Sequence, residues 1–138
     1  MDTPLDPSRP IVLVADDEHH IRFMLEWKLK EQDVQILTAA DGRTALALAQ
    51  QHHPALIISD YQMPYIDGIR LVRTLAESPE TARIPVILLT ALEHRISRSE
   101  LENTGVEHIL RKPFSPTELL QIVGDYLENF RSARGDAA

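Results

Sequence analysis

The chain has 138 residues, 43% of them apolar, with no cysteine and 5 Gly against 9 Pro, which suits one globular domain around a single core. Its 21 acidic and 14 basic residues give a net charge of −7, a sign that opposes attraction to nucleic-acid phosphates, so no nucleic-acid partner is expected. Without cysteine there is no disulfide or thiolate metal site, and without a signal peptide or an apolar run near the ~18 residues of a membrane span, a cytoplasmic chain with no membrane partner is expected.

Pro4, Pro7 and Pro10 fix φ and withhold backbone donors, so residues 1–9 read as a flexible leader, 10–130 as the domain and 131–138 as a disordered tail. Within the domain, five short β-branched runs (Ile11–Ala15, Val34–Thr38, Ala55–Ser59, Val86–Thr90 and Glu107–Arg111) alternate with stretches of helical spacing. The first helix has an apolar stripe at Ile21, Met24, Leu25 and Leu29, from which Phe23 and Trp27 are rotated outward. Asp41 caps the second helix, and Pro54 stops it before the third strand. The stretch from Glu93 to Thr104 reads as a weakly anchored helix, because only Ile96 and Leu101 are strongly apolar. Ser115-Pro116-Thr117-Glu118 is a capping box with Pro at the first helical position, and it opens the last helix with Leu119, Val123, Tyr126, Leu127 and Phe130 at core spacing. Strands apolar on both faces require cover on both sides, so the expected fold is α/β, a doubly wound parallel sheet of five strands.

In such a sheet, ligands collect beyond the carboxyl ends of the strands where strand order reverses. Strand one ends in Asp16-Asp17-Glu18, strand three in Asp60, strand four in Thr90 and strand five in Lys112-Pro113. Taken singly, each has an ordinary explanation: helix-cap acids, a turn residue, a strand-end hydroxyl, a solvated lysine. Together they place three aspartates across the switch point, a cluster that repels itself unless a cation sits in it. An oxygen-only donor set selects a hard ion, Mg²⁺ first, with Mn²⁺ as the alternative. With Lys112 opposite, such a site can accept a phosphoryl group, and Asp60, alone on the central strand, is the candidate nucleophile. Thr90 is placed to donate its hydroxyl to a phosphoryl oxygen. His19-His20 and His52-His53 point ~100° apart on a helix, so neither pair chelates well.

The segments Ile11-Val-Leu-Val-Ala-Asp-Asp-Glu18, Ser59-Asp-Tyr-Gln-Met-Pro64 with Asp67-Gly68, Leu89-Thr-Ala91 and Arg111-Lys-Pro-Phe114 resemble, in this order, the receiver domain of two-component response regulators, especially single-domain regulators of the chemotaxis type. The resemblance implies a flavodoxin-like fold of strand order 2-1-3-4-5 and phosphorylation of Asp60 by a histidine kinase or a histidine phosphotransfer protein. It further implies that Asp17, Asp60 and the Gln62 carbonyl bind Mg²⁺, that Asp16 acts through water, and that Lys112 pairs with the phosphoryl group. Thr90 becomes the switch hydroxyl and the Lys112–Pro113 bond is implied to be cis, which costs little only before proline. Such a protein is not an enzyme, since it catalyses only its own phosphorylation and dephosphorylation. As a stand-alone receiver it signals in trans to an unknown downstream protein, as a monomer or weak homodimer.

One position departs from the family: Ile109 stands where an aromatic residue is usual. Ile cannot swing a ring, so the signal is expected to run through Thr90 and the weak helix that follows. A haloacid dehalogenase-like hydrolase wants Asp at position 18, where this chain has Glu, and an FMN carrier wants a hydroxyl- and Gly-rich loop after strand one, where this chain has acids. A receiver that scaffolds without phosphorylation is the remaining alternative.

Overall fold

A computed structural model describes residues 4–133. In chain order it contains β1 (Ile11–Ala15), α1 (His19–Leu29), β2 (Gln35–Ala39), α2 (Gly42–His52), β3 (Leu56–Asp60) and α3 (Gly68–Ala76). There follow β4 (Val86–Thr90), a single 3₁₀ turn at Glu93–Arg95, α4 (Arg98–Leu101), β5 (Val106–Arg111) and α5 (Pro116–Ala133). The strands pair in parallel in the order β2-β1-β3-β4-β5, the doubly wound arrangement the sequence predicts.

Strand side chains alternate between faces, and that alternation divides the core in two. Val12, Val14, Leu56, Ile58, Ile87 and Leu89 meet Leu25 and Leu29 of α1 and Leu119, Val123 and Leu127 of α5. Leu13, Ala15, Ile57, Val86 and Leu88 meet Ala45 and Ala49 of α2 and Leu71, Val72 and Leu75 of α3 on the other face. Along β3 every residue is buried, including Ser59 and Asp60. Burying this polar strand end costs free energy that hydrogen bonds and paired charge must offset, and Ser59 Oγ donates to the Asp60 carbonyl at 3.0 Å while Lys112 Nζ stands 3.4 Å from Asp60 Oδ1.

Helix boundaries follow local chemistry. Asp41 accepts from the Thr44 N–H at 2.7 Å and Asp67 from the Arg70 N–H at 2.8 Å, each starting a helix. α2 ends on His53 with φ 47°, and Pro54 then forbids continuation. The outward placement of Phe23 and Trp27 holds, with 61% and 63% of their surfaces exposed, while Lys30 covers the Trp27 ring at 5.2 Å.

Two segments differ from expectation. The helix expected over 93–104 breaks into the 3₁₀ turn and a four-residue α4 without a buried residue, because Ile96 and Leu101 alone give it too little apolar surface to anchor more turns. α5 runs on to Ala133, so residues 131–133 extend a helix where a tail is expected; residues 1–3 and 134–138 lie outside the described residues. Residues 4–9 have no regular structure beyond a turn, yet Gln35 ties them to the sheet: its side chain accepts from the Asp6 N–H and donates to the Asp6 and Arg9 carbonyls.

The inner and outer faces of α1 make a direct test. Leu25→Ala should lower stability by about 3 kcal/mol, as for a fully buried leucine, whereas Trp27→Ala, although it removes a larger side chain, should cost under about 1 kcal/mol. Urea unfolding followed by far-ultraviolet circular dichroism measures both, and the opposite order would contradict the assignment.

Candidate functional site

The carboxyl ends of β1, β3 and β5 bring four acids and one lysine to a single point. Asp16 is fully buried and bonds in two directions: Oδ1 accepts from the Glu18 N–H at 2.9 Å, and Oδ2 accepts from the Lys112 ammonium at 3.0 Å. Lys112 Nζ lies 3.3 Å from Glu18 Oε1 and 3.4 Å from Asp60 Oδ1. Carboxylate oxygens of Asp16, Asp17, Glu18 and Asp60 lie within 4.8 Å of one another. The ordinary reading of the first two acids, as caps of α1, is not what the chain adopts. Glu18 occupies the cap position and its side chain makes no capping bond, so it turns to Lys112 instead.

Lys112 arrives there because β5 delivers it. Its backbone N–H donates to the Thr90 carbonyl at 2.8 Å, and the next peptide, Lys112–Pro113, is cis. Thr90 is buried at the end of β4, one residue beyond Leu89, the cross-strand partner of Asp60. Its Oγ1 accepts from the Leu92 N–H at 2.8 Å. Gln62 bears on the site through its backbone: its N–H pulls the Asp60 carboxyl toward its charged form. Ile109 packs with the α2–α3 side of the core. His108, on the opposite face, meets the Tyr126 ring edge-on at 5.8 Å.

The electrostatics are unbalanced. Desolvation, then the charge of Asp16, push the Asp60 carboxyl from 3.8 up to about 6, against the pull of Lys112 and the Gln62 N–H. Burial works against the charge on Lys112, but its bond to Asp16 and the fields of Asp16, Asp60 and Glu18 outweigh this and hold the ammonium above its usual range. One ammonium cannot neutralise four carboxylates, since each like-charged pair at ~4 Å repels by about 4 kcal/mol at an effective dielectric constant near 20.

The donor set fits a hard divalent cation. It consists of oxygens alone, and a spread of up to 4.8 Å exceeds the ~4.2 Å between opposite ligands of a six-coordinate Mg²⁺, which leaves room for the waters that ion keeps. Sequence reasoning gathered Asp16, Asp17, Asp60 and Lys112 but gave Glu18 no role. The signal available for it was the unbroken acidic run at positions 16–18.

The architecture defines a doubly wound α/β module with an aspartate-centred acidic cluster at its strand ends that could hold a metal ion. The chain belongs to the response regulator receiver domain family, whose profile matches residues 12–124. It is 41% identical over 108 residues to the probable transcriptional regulator ycf27 of Galdieria sulphuraria, which covers 78% of this chain and 41% of that protein. The chain thus spans less than half the length of that curated relative. Among solved structures, chemotaxis response regulator CheY4 of Vibrio cholerae superposes with a TM-score of 0.77 at 34% identity, covering 86% of this chain and 99% of that one. The receiver domain of sensor histidine kinase PA1611 from Pseudomonas aeruginosa PAO1, solved with a magnesium ion coordinated in its active-site cleft, superposes with a TM-score of 0.76 at 25% identity, covering 87% and 98%. Receiver domains are signalling modules of two-component systems, generally phosphorylated on aspartate by histidine kinases and binding Mg²⁺ at an acidic pocket.

The raised Asp60 carboxyl has a measurable consequence. Between its unfolded value of 3.8 and its folded value of about 6, the native chain holds more protons than the unfolded one, so stability falls as pH rises through that window. Metal-free Asp60→Asn should therefore melt ~3–6 °C above wild type at pH 7.5. The gap should shrink as pH falls below about 6, and also on saturation with MgCl₂. Scanning calorimetry across this pH range checks it, and a gap indifferent to pH would contradict the electrostatic account.

Proposed function

We propose that Asp60 accepts a phosphoryl group from the phosphohistidine of a histidine kinase or histidine phosphotransfer protein, and that the phosphorylated chain signals in trans by binding a downstream protein. The observation that carries this reading is the Lys112 ammonium, 3.4 Å from Asp60 Oδ1 and 3.0 Å from Asp16 Oδ2, within a cluster of carboxylates. One Asp60 oxygen forms a bond to phosphorus as the bond from phosphorus to the donor's imidazole nitrogen breaks, and the imidazole leaves with that electron pair. Asp17, Asp60 and the Gln62 carbonyl would hold Mg²⁺ or Mn²⁺, with Asp16 acting through water. The bound ion supplies charge that shields the phosphoryl oxygens from the acids. Lys112 moves its ammonium from the Asp60 carboxylate to a phosphoryl oxygen. The reaction turns over no diffusing substrate beyond the donor, and the chain is no enzyme in the wider sense.

Thr90 supplies the route outward. Its oxygen holds the Leu92 N–H, and the Leu92 carbonyl accepts from the Arg95 N–H at 2.9 Å. A Thr90 hydroxyl drawn toward a phosphoryl oxygen therefore pulls on the 3₁₀ turn and on α4 beyond it. With Ile109 unable to swing a ring, the 92–104 segment is the element left to change, and its thin anchoring makes it the cheapest to move.

Radiolabelled acetyl phosphate with Mg²⁺ should label wild type and not Asp60→Asn, and chelation should abolish labelling. Failure of wild type to label would overturn the proposal and favour a scaffold that works unphosphorylated. Beryllofluoride, a phosphoryl mimic, should change amide exchange in residues 92–104 at least severalfold. Unchanged exchange there would refute the route through Thr90.

A further inference from the structure

The loop from Tyr61 to Asp67 joins β3 to α3, begins directly after Asp60, and carries Gln62, whose backbone N–H favours the charged form of the Asp60 carboxyl. The position of this loop therefore bears on the environment of Asp60. On its inner side it is fixed by the sheet: the Tyr61 N–H donates to the Leu89 carbonyl at 2.9 Å, the Gly68 N–H donates to the Tyr61 carbonyl at 2.8 Å, and Met63 is buried. On its outer side it rests against the first turn of α2. Gly42 donates its N–H to the Pro64 carbonyl at 3.3 Å, and the approach is so close that a Cβ there would stand 1.8 Å from the Ile66 carbonyl oxygen. Only glycine fits that contact.

The neighbouring residue adds a second fastening. Arg43 lays its guanidinium over the Tyr65 ring, with Cζ 4.1 Å from the centroid, well inside cation–π range. Tyr65 has φ 71°, a left-handed conformation that bulky side chains rarely adopt and that glycine would take with less strain. The residue is also 72% exposed, so burial does not hold it in place. What the tyrosine gains over glycine at this position is a ring for the Arg43 cation to hold, and strained residues persist where their surroundings over-determine them.

We propose that Arg43 and Tyr65 form a clamp from α2 onto the 61–67 loop, and that Arg43 is a positioning residue that keeps the Gln62 backbone directed at Asp60 and its cation. The metal part of this inference rests on the function proposed above; the loop part does not. The clamp also predicts a sign opposite to that of simple charge. By charge alone, removing a cation from the chain would if anything strengthen Mg²⁺ binding, whereas removing the clamp weakens it by letting the Gln62 backbone wander.

The test has two readouts on Arg43→Ala, Arg43→Lys, Tyr65→Ala and the double alanine variant. Calorimetric titration with MgCl₂ at pH 7.5 should show about three- to fivefold weaker binding in either alanine variant. It should show recovery in Arg43→Lys, which retains charge and ring contact, and no further loss in the double variant. Amide exchange of metal-free protein should accelerate by a similar factor at residues 62, 63, 65 and 66. Tighter Mg²⁺ binding in Arg43→Ala, unchanged loop exchange, or losses that multiply in the double variant would each overturn the clamp. If wild type binds no Mg²⁺, the functional proposal fails, and the exchange data still decide whether the clamp exists.

Discussion

The structure turns on a local excess of negative charge. Parallel pairing of β1 with β3 brings the ends of both strands to one edge, so Asp16 and Asp60 must share a small, poorly solvated volume. Among the described residues, Lys112 is the cation paired with these carboxylates, and it is overcommitted, reaching Asp16, Glu18 and Asp60 at once. An acidic site with one ammonium retains attraction for further positive charge, and its lysine is ready to change partners when a new anion enters. The same imbalance that costs folding stability is what such a site has to offer chemically.

The remaining architecture keeps that imbalance from collapsing. The sheet is packed on both faces by fully buried aliphatic side chains, and the site residues sit within one or two positions of strand ends, where main-chain pairing fixes their direction. That packing lapses between β4 and β5. Beyond Thr90 the chain has a 3₁₀ turn and a four-residue helix with no buried residue, so strain imposed at Thr90 has a compliant segment to act on. Between the rigid sheet and the compliant segment, the 61–67 loop is held on both sides, by β4 and α3 within and by α2 without.

Much of this was legible in the sequence because it depends on local signals. The β-branched runs, Asp41, Pro54 and the Ser115 capping box marked elements by steric and hydrogen-bonding rules that act over a few residues, and the acids at 16, 17 and 60 stood at strand ends. The resemblance to receivers supplied strand order. What was hidden depended on contacts distant in sequence. Gln35 holding Asp6 and Arg9 could not be inferred from a proline-rich start. Glu18 was hidden among acids because its partner lies 94 residues away. The shortness of α4 reflects missing tertiary cover rather than any breaker, and Tyr65 reveals its left-handed backbone only in three dimensions.

On this reading the acids of β1 and β3 surround a divalent ion while Asp60 presents an oxygen to a phosphoryl group steadied by Lys112. A crystal structure of the protein with Mg²⁺ and beryllofluoride tests it most directly. The account predicts beryllium bonded to an Asp60 carboxylate oxygen, one fluoride within hydrogen-bond reach of Lys112 Nζ, another within reach of the Thr90 hydroxyl, and Mg²⁺ coordinated by Asp17 and Asp60. Beryllofluoride bonded to another residue, or a metal that leaves Asp17 and Asp60 uncoordinated, would contradict it.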